Sequence, residues 1–201
     1  MLKVYLIRHG ATIGNSLKRY IGRTDEGLSY VGIQTIKEKQ YPVADFVYVS
    51  PRRRCLETAD IIYPQQFRDI IEDLQECDFG DFENKNYQEL ADNEDYQKWV
   101  DSNGSLPFPN GESLEGFSFR CIRSFTEIIE RCFEQNYKQV SIVIHGGVIM
   151  NIMKHFVGGM DDFYAWFVEN GEGYELQIDK ELWNSNREIG PSFKMLYNKT
   201  L

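Results

Sequence analysis

The pattern of apolar and polar positions along the chain predicts an α/β protein. Three short, nearly continuous apolar runs cover residues 2–7, 46–49 and 140–144. Runs of this length, rich in β-branched and aromatic residues, are typical of strands that are buried on both faces of a parallel sheet. We therefore predict that these three segments are strands at the centre of the fold.

Helical patterns occupy the intervals between the predicted strands. Ser29 can cap a helix that runs to about Gln40, and a second helix is predicted over residues 52–63. Glu112-Ser113 opens the longest helical pattern, which runs to about residue 136, and a further helix covers residues 148–156. Strands that alternate with helices in this way predict a three-layer α/β/α sandwich with a mostly parallel central sheet.

The less regular parts of the chain give three further results. Residues 84–112 are predicted to form short helices and loops, anchored by Trp99 and Phe108, as an insertion that lies over the sheet. The chain is then a single domain over residues 1–201. Residues 164–168 and 174–178 flank a Gly-containing turn and are predicted to form a hairpin at the edge of the sheet. The last twenty residues show no pattern that predicts an element.

The charge of the chain limits its partners. The 201 residues carry 31 acidic against 22 basic side chains, which gives a formal net charge of −9. An acidic surface argues against general binding of nucleic acid and against attachment to anionic membranes. A pocket for an anionic ligand must therefore be a local basic island.

The distribution of cysteines and apolar residues predicts a cytoplasmic protein. No apolar stretch approaches the length of a membrane span, and the N-terminus lacks the charged and apolar regions of a signal peptide. The four cysteines show neither C-x-x-C pairing nor zinc-ligand spacing. We expect reduced cysteines and no metal site.

Polar side chains that suit a phosphate follow the predicted strands. Arg8 and His9 come directly after the first strand, Arg54 follows the second, and His145 follows the last. Glu76 lies in a polar turn between these segments. Ligands of open α/β sheets bind beyond the carboxyl ends of the strands. An arginine fork beside an imidazole can hold a phosphate and attack its phosphorus.

Four motifs carry a resemblance to a known family: R-H-G-x-T-x-x-N from Arg8, S-P-x-x-R-x-x-x-T-A from Ser50, L-x-E-x-x-x-G-x-x-E from Leu74, and a strand that ends in H-G-G at His145. Together they resemble the phosphoglycerate mutase-like histidine phosphatase superfamily, in the same order, over residues 2 to about 155. The segments around Gly22 and Glu112 are most similar to the α-ribazole phosphatase and small broad-specificity phosphatase branch. The first motif is the most specific of the four.

The resemblance implies catalytic roles for five residues. His9 would be the nucleophile and would pass through a phosphohistidine. Arg8, Arg54 and His145 would surround the phosphoryl group. Glu76 would protonate the leaving oxygen and then help to activate water, and a nearby anionic phosphate would keep that carboxyl protonated by raising its pKa.

The resemblance also implies substrate-binding residues and the absence of a cofactor. Asn15 would donate a hydrogen bond, and Ile21 and Gly22 match a loop whose backbone approaches the substrate. Gly146, beside the second histidine, belongs to the same group. Since the sequence has no Walker-type glycine loop, arginine and imidazolium must supply the positive charge that phosphoryl transfer needs, without a metal or other cofactor.

Plainer interpretations apply to several of these residues. His155 falls inside a predicted helix and is interpreted as a surface or packing residue. Arg52 and Arg53 are interpreted as surface charges, because only Arg54 fits the motif. His9 and His145 as metal ligands is a minor alternative, since an adjacent arginine would oppose a dication.

The acidic turn leaves an alternative for Glu76. Asp78, Asp81 and Glu83 lie in the same turn, and a solvated acidic loop would look much the same. Position within the motif favours Glu76, and Glu83 is assigned to loop structure. The aromatic content of 14% is attributed to packing in the core and the insertion rather than to a platform that stacks nucleobases.

Hydrolysis is favoured over mutase chemistry. In mutases of this family an arginine follows the catalytic glutamate, and an adjacent arginine pair binds the substrate carboxylate. Here Cys77 follows Glu76, and Arg120 and Arg123 are not adjacent. The expected activity is hydrolysis of a small phosphorylated metabolite, with α-ribazole phosphate as a candidate.

Two alternatives and several properties stay open at this stage. A mutase that transfers the phosphoryl group is one alternative, and a non-catalytic protein that binds phosphate is the other. Asn84 and Arg52 depart from residues common in the family, which leaves the choice of substrate open. The oligomeric state, monomer or homodimer, is also undecided.

Overall fold

The computed structural model describes residues 1–159, 163–189 and 193–196. The strands are β1 (Leu2–Arg8), β2 (Phe46–Val49), β3 (Arg68–Ile70), β4 (Gln139–Ile144), β5 (Gly173–Ile178) and β6 (Phe193–Met195). The α-helices are α1 (Ile13–Ser16), α2 (Tyr30–Glu38), α3 (Arg53–Ile62), α4 (Glu94–Asp101), α5 (Leu114–Glu134), α6 (Gly146–Phe156) and α7 (Lys180–Asn186). Short 3₁₀ turns cover Glu72–Leu74, Gly80–Phe82 and Phe163–Trp166.

The strands within these ranges form one six-stranded sheet in the order β3-β2-β4-β1-β5-β6. β1 and β2 both pair parallel with β4, and β3 pairs parallel with β2. β5 runs antiparallel to both β1 and β6. The predicted α/β fold with a mostly parallel sheet is confirmed. Because β4 lies between β1 and β2, the carboxyl ends of these three strands meet at one edge of the sheet.

Alternating side chains of β1 build the two sides of the core. Val4 and Leu6 pack in the larger apolar cluster, which includes buried residues of α5 and α6. Tyr5 and Ile7 pack in a smaller cluster with buried residues of α3 on the opposite face. Because successive side chains of a strand point to opposite faces of the sheet, each face packs against its own layer of helices, as the sequence predicts.

The helix starts follow the predicted caps. The side chain of Ser29 accepts a hydrogen bond from the backbone N–H of Gly32, and that of Ser113 accepts one from Gly116. α2 and α5 each end slightly before the predicted residue. None of the helices in the described part of the chain is long and apolar enough to cross a membrane.

Residues 84–112 pack through aromatic rings. The rings of Tyr96 and Trp99 stack with centroids 6.1 Å apart, and Phe108 lies 5.3 Å from Trp99. Phe82, just before this segment, contacts all three rings. Trp99 and Phe108, the predicted anchors, therefore join the segment to the 3₁₀ turn that precedes it.

The predicted edge hairpin is wrong. β5 pairs with β1 and β6, and the supposed partner segment forms a 3₁₀ turn that includes Trp166. The carbonyl of Val168 accepts a hydrogen bond from Arg8 Nη1 at 2.7 Å, so this segment passes the end of β1 rather than lying beside β5. Apolar alternation identified β5 as a strand but could not choose its partner. The last twenty residues, for which the sequence predicts no element, contain most of α7 and all of β6.

Candidate active site

The two strand-end histidines face each other. His9 follows β1 and His145 follows β4, and the backbone N–H of His9 continues the pairing by donating to the carbonyl of Ile144 at 2.9 Å. Their ring centroids lie 5.2 Å apart in an edge-to-face arrangement. Both side chains are buried. Parallel pairing of β1 with β4 therefore brings together two residues that are distant in sequence.

The environment of His9 keeps its ring neutral and fixes the tautomer. Nδ1 donates to the carbonyl oxygen of Gly10 at 2.7 Å. Because a carbonyl only accepts, this contact places the proton on Nδ1 and leaves the lone pair on Nε2. Burial, reinforced by the guanidinium groups of Arg54 and Arg8, lowers the pKa of His9 well below its ordinary value. The result is an uncharged imidazole with a nucleophilic nitrogen.

His145 is held by residues that follow β2. A hydrogen bond of 2.8 Å joins its Nε2 to Ser50 Oγ, and Cys55 Sγ lies 3.5 Å from the same nitrogen. Burial, together with Arg54 and other nearby groups, lowers the pKa of His145 well below its ordinary value. Ser50 was not assigned a role from the sequence, although it is the first residue of the S-P motif.

Arg54 is fully buried and organises the loop after α1. Its Nη1 donates to the carbonyl of Thr24 at 2.8 Å, and Nη2 donates to the carbonyls of Gly22 and Ile21 at 2.9 and 3.2 Å. All three acceptors are neutral carbonyl oxygens. Among the described residues, no carboxylate forms an ion pair with Arg54. Such a buried charge is costly unless an anion accompanies it.

Arg8 and Arg52 resemble Arg54 because each has a buried Nε atom without a hydrogen-bond partner among the described residues. Arg8 donates through Nη1 to the carbonyl of Val168, and its guanidinium lies 5.2 Å from the ring of Phe167. The Nε atoms of Arg8, Arg52 and Arg54 are buried and have no hydrogen-bond partner among the described residues. Arg52 thus differs from its interpretation as a surface charge, whereas Arg53 is exposed and pairs with Glu57, as interpreted.

Glu76 lies against the first turn of α6. Its carboxylate accepts hydrogen bonds from the backbone N–H groups of Gly147, at 3.0 Å, and Cys77, at 3.1 Å. Burial raises the pKa of Glu76 above its ordinary value, while these hydrogen bonds and the guanidinium groups of Arg54 and Arg8 act in the opposite direction. The net direction favours the protonated acid.

The other carboxylates of the acidic turn hold loops. Asp78 accepts from the backbone N–H of Gly80, and Asp81 accepts from Asn110. Glu83 accepts from the backbone N–H groups of Gly22 and Thr24, both at 2.8 Å. Of the four candidates, Glu76 is the one whose carboxylate contacts the segment that follows His145.

Arg120 fixes the backbone that carries Glu76. This side chain of α5 donates to the carbonyls of Asp73, Gln75 and Glu76 at 2.6–3.0 Å. It also forms a two-pronged ion pair with Glu112, with N–O distances of 2.7 and 2.8 Å. Sequence reasoning missed this role, because a charged residue within a helical pattern carries no sign of which carbonyls it will reach.

Three of the predicted substrate-binding residues, Asn15, Ile21 and Gly22, form hydrogen bonds with other parts of the chain. The side-chain oxygen of Asn15 accepts from the backbone N–H of Thr12 and from Asn170. A hydrogen bond from its NH₂ group to the substrate stays a prediction. The carbonyls of Ile21 and Gly22 accept from Arg54, and the N–H of Gly22 donates to Glu83. That the backbone of these two residues approaches the substrate stays a prediction.

Gly146 lies close to Arg8. A Cβ atom at Gly146 would be 3.3 Å from Arg8 Nε. His155 is exposed on α6, in agreement with its interpretation as a surface residue. Within the part of the chain that the structure describes, no group of three or more His, Cys, Asp or Glu side chains could hold a metal ion.

Two cavities adjoin this cluster and share Glu76. The smaller, of about 390 Å³, is lined mainly by charged side chains that include Arg52 and Arg120. The larger, of about 1180 Å³, is lined by Arg8, Glu76 and Gly146, and otherwise mainly by apolar side chains. The candidate acid therefore lies where two differently lined spaces meet.

Comparison with known proteins gives a consistent result. The family described as "Histidine phosphatase superfamily (branch 1)" matches residues 4–188. The adenosylcobalamin/α-ribazole phosphatase of Escherichia coli is 30% identical over 187 residues, covering 89% of this chain and 90% of that protein. Phosphoserine phosphatase 1 of Hydrogenobacter thermophilus is 29% identical over 174 residues, covering 83% and 81%. The crystal structure of the α-ribazole phosphatase of Shigella flexneri matches with a TM-score of 0.78 at 27% identity, covering 90% of this chain and 92% of that one.

Proposed function

Because the chain belongs to the histidine phosphatase superfamily (branch 1), we propose that it is a metal-independent phosphomonoesterase that acts on a small phosphorylated metabolite through a phosphohistidine at His9. One observation carries the proposal. Three buried guanidinium Nε–H groups without a partner among the described residues accompany two neutral, buried imidazoles at the same edge of the sheet. This combination suits a tetrahedral anion and disfavours a dication.

The proposed reaction has two steps. In the first, Nε2 of His9 attacks phosphorus, the bond from phosphorus to the alcohol oxygen breaks, and Glu76 gives its proton to that oxygen. In the second, water attacks phosphorus, the P–N bond breaks, and the ionised Glu76 takes a proton from the water. The alcohol and inorganic phosphate leave, and both side chains regain their starting protonation states.

The arginines supply what phosphoryl transfer needs most. Charge spread over the equatorial oxygens of the transition state is stabilised by fixed donors that require no reorganisation. Arg54 is suited to this task because three carbonyls already hold its guanidinium in one orientation. Arginine also presents several donors in a rigid fork that matches the oxygens of a phosphate.

The surroundings of the basic residues support hydrolysis over mutase chemistry. Residues 84–119 contain two basic side chains, Lys85 and Lys98. Lys85 donates to the carbonyl of Asp81, and Lys98 pairs with Asp95 on the surface. Arg120 is engaged by Glu112 and three carbonyls, so it is unsuited to bind a substrate carboxylate.

Turnover and trapping of the intermediate test the proposal. We expect para-nitrophenyl phosphate to be hydrolysed in EDTA and His9→Ala to abolish turnover. Rapid quenching in alkali should trap a phosphoprotein that is labile to acid. The control is Phe67→Ala, which changes an exposed residue that lines neither cavity, and in this variant the phosphoprotein should still form. An alkali-stable phosphoprotein in His9→Ala, or turnover that EDTA removes, would reject the mechanism.

A series of leaving groups tests the role of Glu76. Glu76→Gln removes the proton donor, which assists an alkoxide by about 10²–10⁴-fold in typical general acid catalysis. We expect the loss to be large for an alkyl phosphate and small for para-nitrophenyl phosphate, whose leaving oxygen needs little protonation. Full activity of the variant on the alkyl ester would contradict the assignment.

A panel of phosphorylated sugars, nucleotides, phosphoserine and α-ribazole phosphate would identify the substrate. The last two are named in the relatives, and we propose α-ribazole phosphate as the first to test. A mutase would instead isomerise a phosphoglycerate when primed by a bisphosphate. A protein that only binds phosphate would hydrolyse no member of the panel. Such a protein would not need an acid beside the leaving group, so the presence of Glu76 argues against this alternative.

A further inference from the structure

The larger cavity beside the candidate active site is walled by aromatic rings. Its volume is about 1180 Å³. Residues 84–112 contribute Trp99 and Phe108, α5 contributes Phe117 and Phe119, and the region after α6 contributes Phe163 and Phe167. The rings thus come from three separate segments that the fold brings around one space.

Burial in the core does not account for all of these rings. The side chains of Phe119 and Phe167 are 66% and 48% exposed, so much of their apolar surface faces open space. Exposed aromatic rings grouped in one place are typical of binding surfaces.

The same cavity is continuous with the proposed phosphate site. Arg8, Glu76, Gly146 and Gly147 line it together with the rings. A monoester that places its phosphoryl group by Arg8 and its leaving oxygen by Glu76 has both cavities within reach of its alcohol, and the larger one offers the greater volume and the aromatic rings. The chemistry of the walls then selects the alcohol.

We propose that this cavity binds a planar aromatic or heteroaromatic ring carried by the alcohol of the substrate. The inference rests on the proposed function and names its substrate class. Rings stack favourably on aromatic walls and bury apolar surface there. A compact amino-acid phosphate would leave most of the cavity, and most of its aromatic wall, without a contact. The ammonium of Lys154 lies 5.9 Å from the ring centroid of Phe163, and this cation–π contact helps to hold that ring in the cavity wall.

Two alkyl phosphates with equal intrinsic reactivity test this specificity. 3-Phenylpropyl phosphate and n-propyl phosphate share the same type of leaving oxygen, because three methylene groups insulate it from the ring. Burial of one ring of phenylalanine size should raise kcat/KM by about 10- to 100-fold for the ring-bearing ester. Phosphoserine should be hydrolysed less efficiently than that ester.

A matched pair of variants links the preference to the cavity. Phe119→Ala should lower the ratio of the two kcat/KM values at least threefold. The control is Phe67→Ala, which changes a phenylalanine that is 83% exposed just before β3 and does not line the cavity. The control should leave the ratio unchanged. Since both side chains are largely exposed, both variants should fold.

The outcomes separate this inference from the function on which it rests. Equal kcat/KM for the two esters, a preference for phosphoserine, or an unchanged ratio in Phe119→Ala would overturn the inference while the phosphatase assignment stands. Absence of turnover with every ester would reject the proposed function. Calorimetry with the two corresponding phosphonates tests the cavity without turnover, and equal affinities would overturn the ring-binding site.

Discussion

The backbone of Gly147 contacts the carboxylate of Glu76 so closely that a side chain on Gly147 would prevent the contact. A Cβ atom at Gly147 would lie 2.4 Å from Glu76 Oε1. The N–H of the same glycine donates to the other carboxylate oxygen at 3.0 Å. The absence of a side chain in the first turn of α6 therefore sets the position of the candidate acid.

We expect Gly147→Ala to displace the carboxylate of Glu76 and to slow hydrolysis of alkyl phosphates about 10²-fold, near the lower limit for loss of general acid catalysis. Hydrolysis of para-nitrophenyl phosphate should fall much less. The measurement is kcat on both substrates. Gly116→Ala adds the same methyl group to the first turn of α5, away from Glu76, and serves as control. Equal losses on both substrates would show that the change acts on folding or binding instead.

Arg120 should act as a positioning residue for the same acid. Arg120→Met removes the donor to the carbonyls of residues 73, 75 and 76 and leaves Glu112 without its partner. We expect about a 10-fold or greater loss of kcat on alkyl phosphates and a smaller loss on para-nitrophenyl phosphate, because the loop that carries the acid is no longer fixed. Unsatisfied carbonyls should also lower the free energy of unfolding by about 1–3 kcal/mol.

The control for Arg120 is Arg123, one turn further along α5. Arg123 is half exposed and pairs with Asp73 on the surface. Surface ion pairs contribute about 0–1 kcal/mol, so Arg123→Met should change neither activity nor stability appreciably. A uniform decrease of activity on all substrates in Arg120→Met, restored by conditions that stabilise the fold, would reduce Arg120 to a structural residue.

The sequence predicted those parts of the fold and site that depend on local pattern. Strand periodicity and the rule that ligands bind at the carboxyl ends of parallel strands were enough to expect that Arg8, His9 and His145 meet. Their proximity in the structure follows from one pairing, that of β1 with β4. The caps of α2 and α5 were equally predictable, because a cap and its acceptor are three residues apart.

Features that depend on distant partners were not predictable in this way. The segment of residues 174–178 was recognised as a strand, but its pairing of Tyr174 with Leu6 is set by the whole sheet. The aromatic residues were assigned to packing, and only the assembled fold shows that rings from three segments surround a cavity. For the same reason, the local pattern does not distinguish Arg52 from Arg53, yet Arg52 is half buried and Arg53 is exposed.

Arg54→Lys should be costly despite the retained charge. Lysine cannot donate to Ile21, Gly22 and Thr24 and still offer a planar fork to an anion. We expect a loss of about 10²-fold or more in kcat/KM, as for removal of a preorganised donor from a transition state. Arg53→Lys is the control on the exposed side of α3 and should be neutral. Comparable kinetics for the two variants would exclude Arg54 from the phosphate site.

The two buried histidines should make the protein less stable in mild acid. The folded-state pKa values of His9 and His145 lie well below the ordinary imidazole value of about 6.5, so the unfolded chain binds protons that the folded chain does not. The free energy of unfolding should therefore fall as the pH drops below about 6.5, by up to about 1.4 kcal/mol per pH unit for each histidine. Glu76, with its raised pKa, acts in the opposite sense as it takes up a proton in the folded state.

Urea unfolding between pH 7 and pH 5 measures this dependence. His9→Asn and His145→Asn should each reduce the slope of the unfolding free energy against pH, whatever their effect on stability at pH 7, since each removes one buried imidazole. If His9→Asn retained the wild-type slope, the imidazole of His9 would have to bind a proton equally well in the folded and the unfolded chain. The neutral nucleophile required by the proposed first step would then lose its basis.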